Sequence, residues 1–164
     1  MFLAKTLFAA VTFLSALQTW AYPNVGDKVS WTGEITTQKG DTLAVKITKE
    51  ILSRDYKNSL WKVRVDASIG DDHSSHIIET PDMYTPESYK KIIGDCVKNG
   101  GFLEKLNAPA GTYDTCKIST TLADGTLIER WWGNIPFGVV SKSTRDSGKL
   151  PISKPDLDSI IAGL

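Results

Sequence analysis

Four stretches in the first half of the chain repeat one pattern, an apolar residue at every second position, and that pattern limits what the chain can become. In Lys28–Thr36, Val29, Trp31, Gly33 and Ile35 alternate with Ser30, Thr32, Glu34 and Thr36. Thr42–Leu52 alternates with Leu43, Val45, Ile47 and Ile51 on one side. Ser59–Ile69 does so with Trp61, Val63, Val65, Ala67 and Ile69, while Lys62, Arg64 and Asp66 point the other way. His73–Thr80 follows. Successive side chains of a strand leave opposite faces, so period two means strands with one face buried and one wet. The connections Gln38–Asp41, Arg54–Asn58 and Gly70–Asp72 are short and polar. Short polar turns between alternating strands give an antiparallel meander.

The period changes once. Thr85-Pro86-Glu87 supplies a cap residue, a proline for the first helical position and an acid for the first turn. Tyr89, Ile92, Ile93, Cys96 and Val97 then recur at helical spacing, and Gly100-Gly101 ends the run. Strand patterns resume at Phe102–Leu106, Thr112–Leu122, Thr126–Trp132 and Gly138–Thr144, with Asp124-Gly125 as a hairpin signal. Leu157, Ile160, Ile161 and Leu164 fall at helical spacing, so the tail from Pro155 is expected to form a short C-terminal helix. The expected fold is mainly β, of the α+β class. It is a curved antiparallel sheet or half-barrel of about eight strands, with one covering helix and that short terminal helix.

Residues 1–21 read as an address. Lys5 precedes an apolar run from Leu7 to Leu17, and Thr19 and Ala21 are the small residues a signal peptidase reads. The run is shorter than the roughly 20 residues a membrane span needs. Cleavage after Ala21 leaves 22–164 as a single β-rich domain, periplasmic or secreted, with no integral span. An uncleaved anchor is the other reading. In an oxidising compartment the two cysteines of the whole chain, Cys96 and Cys116, are expected to pair. Buried free thiols and a redox pair are the alternatives. Cys96 stands on the buried stripe of the helix, so its partner belongs to whatever the helix covers.

Lys and Arg total 19 and Asp and Glu total 19. A neutral chain is not held to nucleic acid by bulk electrostatics, and no nucleic-acid partner is expected. Asp71, Asp72, His73, His76 and Glu79 crowd together, but in a strand His73 and His76 face opposite ways. No metal site is expected there, and no cofactor fingerprint appears. A G-x-S-x-G elbow is absent, and a cysteine nucleophile would conflict with the disulfide. No catalytic residue is assigned; an acid pair facing across the sheet would be the only cue to a hydrolase.

The aromatics carry more. Trp31 and Trp61 occupy inward positions. Trp131 and Trp132 are neighbours in a strand, so one joins the core and the other faces out. Near Ile135-Pro136-Phe137, an exposed tryptophan would form an apolar patch for a ligand or partner, or else pack beneath the terminal helix.

Residues 108–116, Ala-Pro-Ala-Gly-Thr-Tyr-Asp-Thr-Cys, and 130–140, Arg-Trp-Trp-Gly-Asn-Ile-Pro-Phe-Gly-Val-Val, resemble exported bacterial proteins of unknown function similar to DUF3108-like and lipoprotein-carrier-like half-barrels. The resemblance covers about residues 96–142. It implies a curved sheet whose concave face holds an apolar ligand or acyl chain, and it brings no catalytic residues. The expected function is therefore a binding or carrier module for a lipid or other hydrophobic small molecule. Its site would draw on Trp31, Val45, Ile47, Trp61, Val63, Val65, Trp131, Trp132 and Phe137. The alternative is a structural or interaction protein of the cell envelope with a filled core.

Overall fold

The computed structural model describes residues 22–37, 39–145, 151–153 and 156–161. The expected leader, 1–21, lies outside the described residues. The strands are β1 (Lys28–Thr36), β2 (Thr42–Asp55), β3 (Leu60–Ile69) and β4 (Asp72–Thr80), then β5 (Phe102–Ala108), β6 (Gly111–Thr121), β7 (Leu127–Trp132) and β8 (Val139–Arg145). Two short strands follow, β9 (Pro151–Ser153) and β10 (Asp156–Ile161), and the helix α1 spans Pro86–Asp95. The fold is mainly β in the α+β class. The strands form one antiparallel path in the order β4-β3-β2-β1-β10-β8-β7-β6-β5, with β9 beside β1 and β8. The path ends at β4 and β5 and does not close into a barrel.

The register explains the alternation. Val29 pairs with Lys49, Trp31 with Ile47, Lys49 with Val65 and Ile51 with Val63, so the odd-numbered residues of β1, of β3 and of β2 as far as Ile51 share one face; a bulge after Ile51 then sets Arg54 opposite Trp61. The even positions form a polar face. There Ser30 Oγ and Thr48 Oγ1 lie 2.9 Å apart, and Arg64 donates to the Glu50 carboxylate at 2.6 Å. On β4, His73 pairs with Ser68 and His76 with Val65, so the two imidazoles leave opposite faces.

The tail departs from expectation. Its apolar spacing predicts a helix, yet Asp156–Ile161 is the strand β10, paired along β1 from Lys28 to Thr32 and touching β8 at Ser141. Without it, β1 and β8 would each present a free edge in the middle of the sheet. The demand to pair those backbone groups outweighs a short apolar periodicity.

Helix α1 begins as its sequence predicts. Thr85 Oγ1 accepts from the Ser88 amide at 3.1 Å, and Pro86 fills the first position. None of its ten residues is fully buried. It lies over β6, where Tyr89 donates to the Asp114 carbonyl at 3.3 Å and Cys96 forms a disulfide with Cys116. Gly101 is required beside this link. A Cβ there would sit 2.9 Å from each sulfur and from the Lys117 carbonyl oxygen. Because the helix sits over β6, the apolar face of β1–β3 needs another cover, and the turn between β7 and β8 provides it.

Candidate functional site

The turn at residues 133–138 folds inward. Gly133 donates to the Gly138 carbonyl at 2.8 Å, closing the loop, and Ile135 and Pro136 are fully buried. Ile135 joins Val29, Trp31 and Val140 in one core cluster. A second cluster consists of Ile51, Trp61 and Val63, with Val65 and Met83 against it, and Phe137 touches both. Phe137 reaches this position at φ 64°, a left-handed conformation that a bulky residue adopts only when its surroundings impose it. The next residue, Gly138, has φ 75°, and a Cβ on it would lie 2.8 Å from the Tyr84 ring. Tyr84 in turn stacks between Tyr22 and Trp132, at centroid distances of 6.3 and 5.8 Å. Its hydroxyl is buried with no hydrogen-bond partner among the described residues.

Beside Phe137 a cavity of about 240 Å³ opens, walled by Val63, Ile78, Met83, Tyr84 and Phe137 and by Lys49. Lys49 belongs to the apolar series of β2, between Ile47 and Ile51. Its ammonium lies 5.9 Å from the centre of the Trp31 ring and 5.7 Å from that of Phe137. These are cation–π distances. Among the described residues it has no carboxylate within ion-pair distance. Burial pushes the amine's pKa below its usual value, and the positive charge of Lys142 adds to that. Asp82 contributes the only carboxylate to the cavity wall.

Two larger depressions differ in kind. One of about 430 Å³ lies on the polar face, lined by Lys46, Thr48, Asp66 and His73. Its carboxylate is engaged, because Asp66 accepts from Ser75 at 2.6 Å and lies 3.5 Å from Arg64. The other, about 520 Å³, runs between α1 and β5, where Lys105 and Asp114 pair at 3.4 Å. Among the described residues, the smaller cavity brings buried Val63 and partly buried Met83, Tyr84 and Phe137 together with a cation that has no carboxylate partner.

The structure distributes the expected site residues unevenly. Val63 and Phe137 line the cavity and Trp31 lies under Lys49. Trp61 and Val65 belong to the cluster behind it. Ile47 packs on the first cluster and Val45 is buried further along β2. The Trp31 indole donates to the Val139 carbonyl at 2.7 Å, so it anchors β1 to the turn. Trp132 stands with Tyr84. Trp131 leaves the opposite face but is not exposed. It is 7% accessible, donates to the Glu104 carboxylate and lies 4.9 Å from the Lys117 ammonium. With Ile135 and Pro136 also buried, the expected apolar surface patch around residues 131–137 does not exist. The turn that would have carried it is folded into the core. Lys49, Met83 and Tyr84 were not foreseen. A lysine at an inward register of β2 was the available signal.

The chain matches no protein-family model and none of the curated proteins. Among solved structures it is similar to a Bacteroides fragilis protein described as exported and as having a YmcC-like fold. The TM-score is 0.53 at 13% identity, over 87% of this chain and 99% of that one. At that identity the likeness is one of fold. It is to an exported protein, and it does not extend to DUF3108-like half-barrels in particular.

Proposed function

We propose that this is an exported protein of the cell envelope, periplasmic or secreted, in which residues 22–164 form one domain after removal of 1–21. Its role is to bind a lipid or other hydrophobic ligand without catalysis. Export is supported by the leader-like N-terminus, the Cys96–Cys116 disulfide and the likeness to an exported fold. Among the described residues no helix is long and apolar enough to cross a membrane.

The observation that carries the binding reading is the cavity beside Phe137. Buried Val63 and the partly buried Met83, Tyr84 and Phe137 wall it, and a backbone held in an uncommon conformation shapes it. Its 240 Å³ is a little under the roughly 300 Å³ at which drug-sized sites begin, so the ligand is slim, a single chain rather than a bulky lipid. Native mass spectrometry of protein recovered from its own envelope tests this directly. Co-purifying lipid, and uptake of an apolar fluorophore after delipidation that quenches the nearby tryptophans, are the expected results. A protein that arrives empty and takes up no fluorophore refutes the reading.

A structural or interaction role is favoured by one other feature. Edge strand β4 exposes Ile77 at 63% and Ile78 at 45%. An unpaired edge with apolar side chains suits a partner strand. Empty protein that instead co-purifies with an envelope protein through β4 would select this role.

A further inference from the structure

We propose that the cavity takes an anionic single-chain amphiphile, whose carboxylate or phosphate head pairs with the Lys49 ammonium while its alkyl chain lies against Val63, Met83 and Phe137. The inference rests on the binding reading above and names the ligand class for the same cavity.

A cation placed in an apolar series is costly unless something offsets it. Of the other charged groups on β2 and β3, Lys46 and Arg54 are exposed, and Glu50, Lys62, Arg64 and Asp66 have charged partners. Glu50 meets Arg64 and Lys28, at 2.6 and 3.7 Å, and Lys62 meets Glu79 at 3.2 Å. Among the described residues Lys49 meets only the faces of Trp31 and Phe137. Those rings favour any cation, but a ring face carries no oxygen to accept an ammonium hydrogen. Lys142 adds positive potential on the same side, and among the described residues Asp82 is the single opposing charge on the wall. A neutral lipid head would gain only an uncharged acceptor's hydrogen bond from this arrangement, and a cationic one would be repelled. An oxyanion head would add a charged acceptor in partly desolvated surroundings, where a charged hydrogen bond is worth more than in water.

The test compares dodecanoate, monododecyl phosphate and dodecanol below their aggregation limits, by calorimetry on the delipidated full protein, on Lys49→Met and on Lys49→Arg. A charge-assisted hydrogen bond corresponds to about tenfold or more in affinity. Both acids are expected to bind wild type by at least that factor more tightly than the alcohol. Lys49→Arg should keep the preference. Lys49→Met should lose it, with dodecanol binding unchanged or improved, and that retained binding reports an intact cavity. The acid that binds more tightly distinguishes a free fatty acid from a phosphorylated lipid as the source. Equal binding of acids and alcohol by wild type, or a preference that survives Lys49→Met, overturns the head-group assignment and leaves the apolar reading standing. Failure of all three to bind wild type overturns both.

Discussion

Removing the disulfide should release the helix before it unfolds the sheet. Helix α1 has ten residues, none fully buried. Isolated helices shorter than about 12–15 residues are marginal in water. What holds this one is the partial burial of Tyr89, Ile92 and Ile93, the Tyr89–Asp114 hydrogen bond and the Cys96–Cys116 link. The cysteines are separated by 20 residues, and closing a loop of that size is worth about 3 kcal/mol in the chain-entropy model. At 1.4 kcal/mol per decade, that is about two decades in an opening equilibrium. In the double variant Cys96→Ala/Cys116→Ala, amide exchange across residues 86–101 should therefore accelerate about a hundredfold. Amides in β2 and β3, held by their own ladders, should change far less. Hydrogen exchange read by mass spectrometry on peptides from the two regions makes the comparison within one sample. Gly101→Ala approaches the same link from another side. Its new Cβ would press on both sulfurs at 2.9 Å, so oxidative refolding should yield less cross-linked protein. Wild-type protection of residues 86–101 in the disulfide-free variant would refute the reasoning, because packing alone would then suffice to hold the helix.

Gly138→Ala should cost about 2–3 kcal/mol in urea unfolding, combining a left-handed backbone with a contact on the Tyr84 ring, and should alter the near-ultraviolet dichroism of the Tyr22–Tyr84–Trp132 stack. Gly40→Ala is the control. It has φ 91° with nothing within 4 Å, so it should lose only the backbone share, about 1 kcal/mol, and an equal loss at both glycines would contradict the packing described for the turn. Lys49→Met should stabilise the ligand-free protein by about 1 kcal/mol near neutral pH, as expected when a binding residue is removed. Burial lowers the folded-state pKa of Lys49 below 10.5, so between the two values the unfolded chain holds more protons and wild-type stability rises with pH. The advantage of Lys49→Met should accordingly shrink as pH climbs through that window, and a constant difference in urea midpoint from about pH 8 to about pH 11 would contradict it.

What the sequence made legible followed from local rules. Strands β1 to β3 announce themselves because each buries one face and turns on short polar links, whereas β4 and β5, at the two ends of the path, bury no residue. Helix α1 announces itself because Thr85 and Pro86 start it and Gly100 stops it. Three other features follow from non-local demands instead. The tail is a strand because two distant edges need backbone partners, which no periodicity within Asp156–Ile161 could report. The segment Ile135-Pro136-Phe137 reads as a surface patch beside two tryptophans. It is interior because Gly133 and Gly138 let the chain reverse beneath Tyr84. Lys49 is the instructive case. The apolar members of β2 at 43, 45, 47 and 51 establish the face, and the same count places Lys49 on it. A lysine can hold such a position with its alkyl stem buried and its ammonium carried out to water. Here the ammonium lies over the Trp31 and Phe137 rings, at 5.9 and 5.7 Å, and Phe137 reaches it from a turn about ninety residues on, which no count within β2 could report.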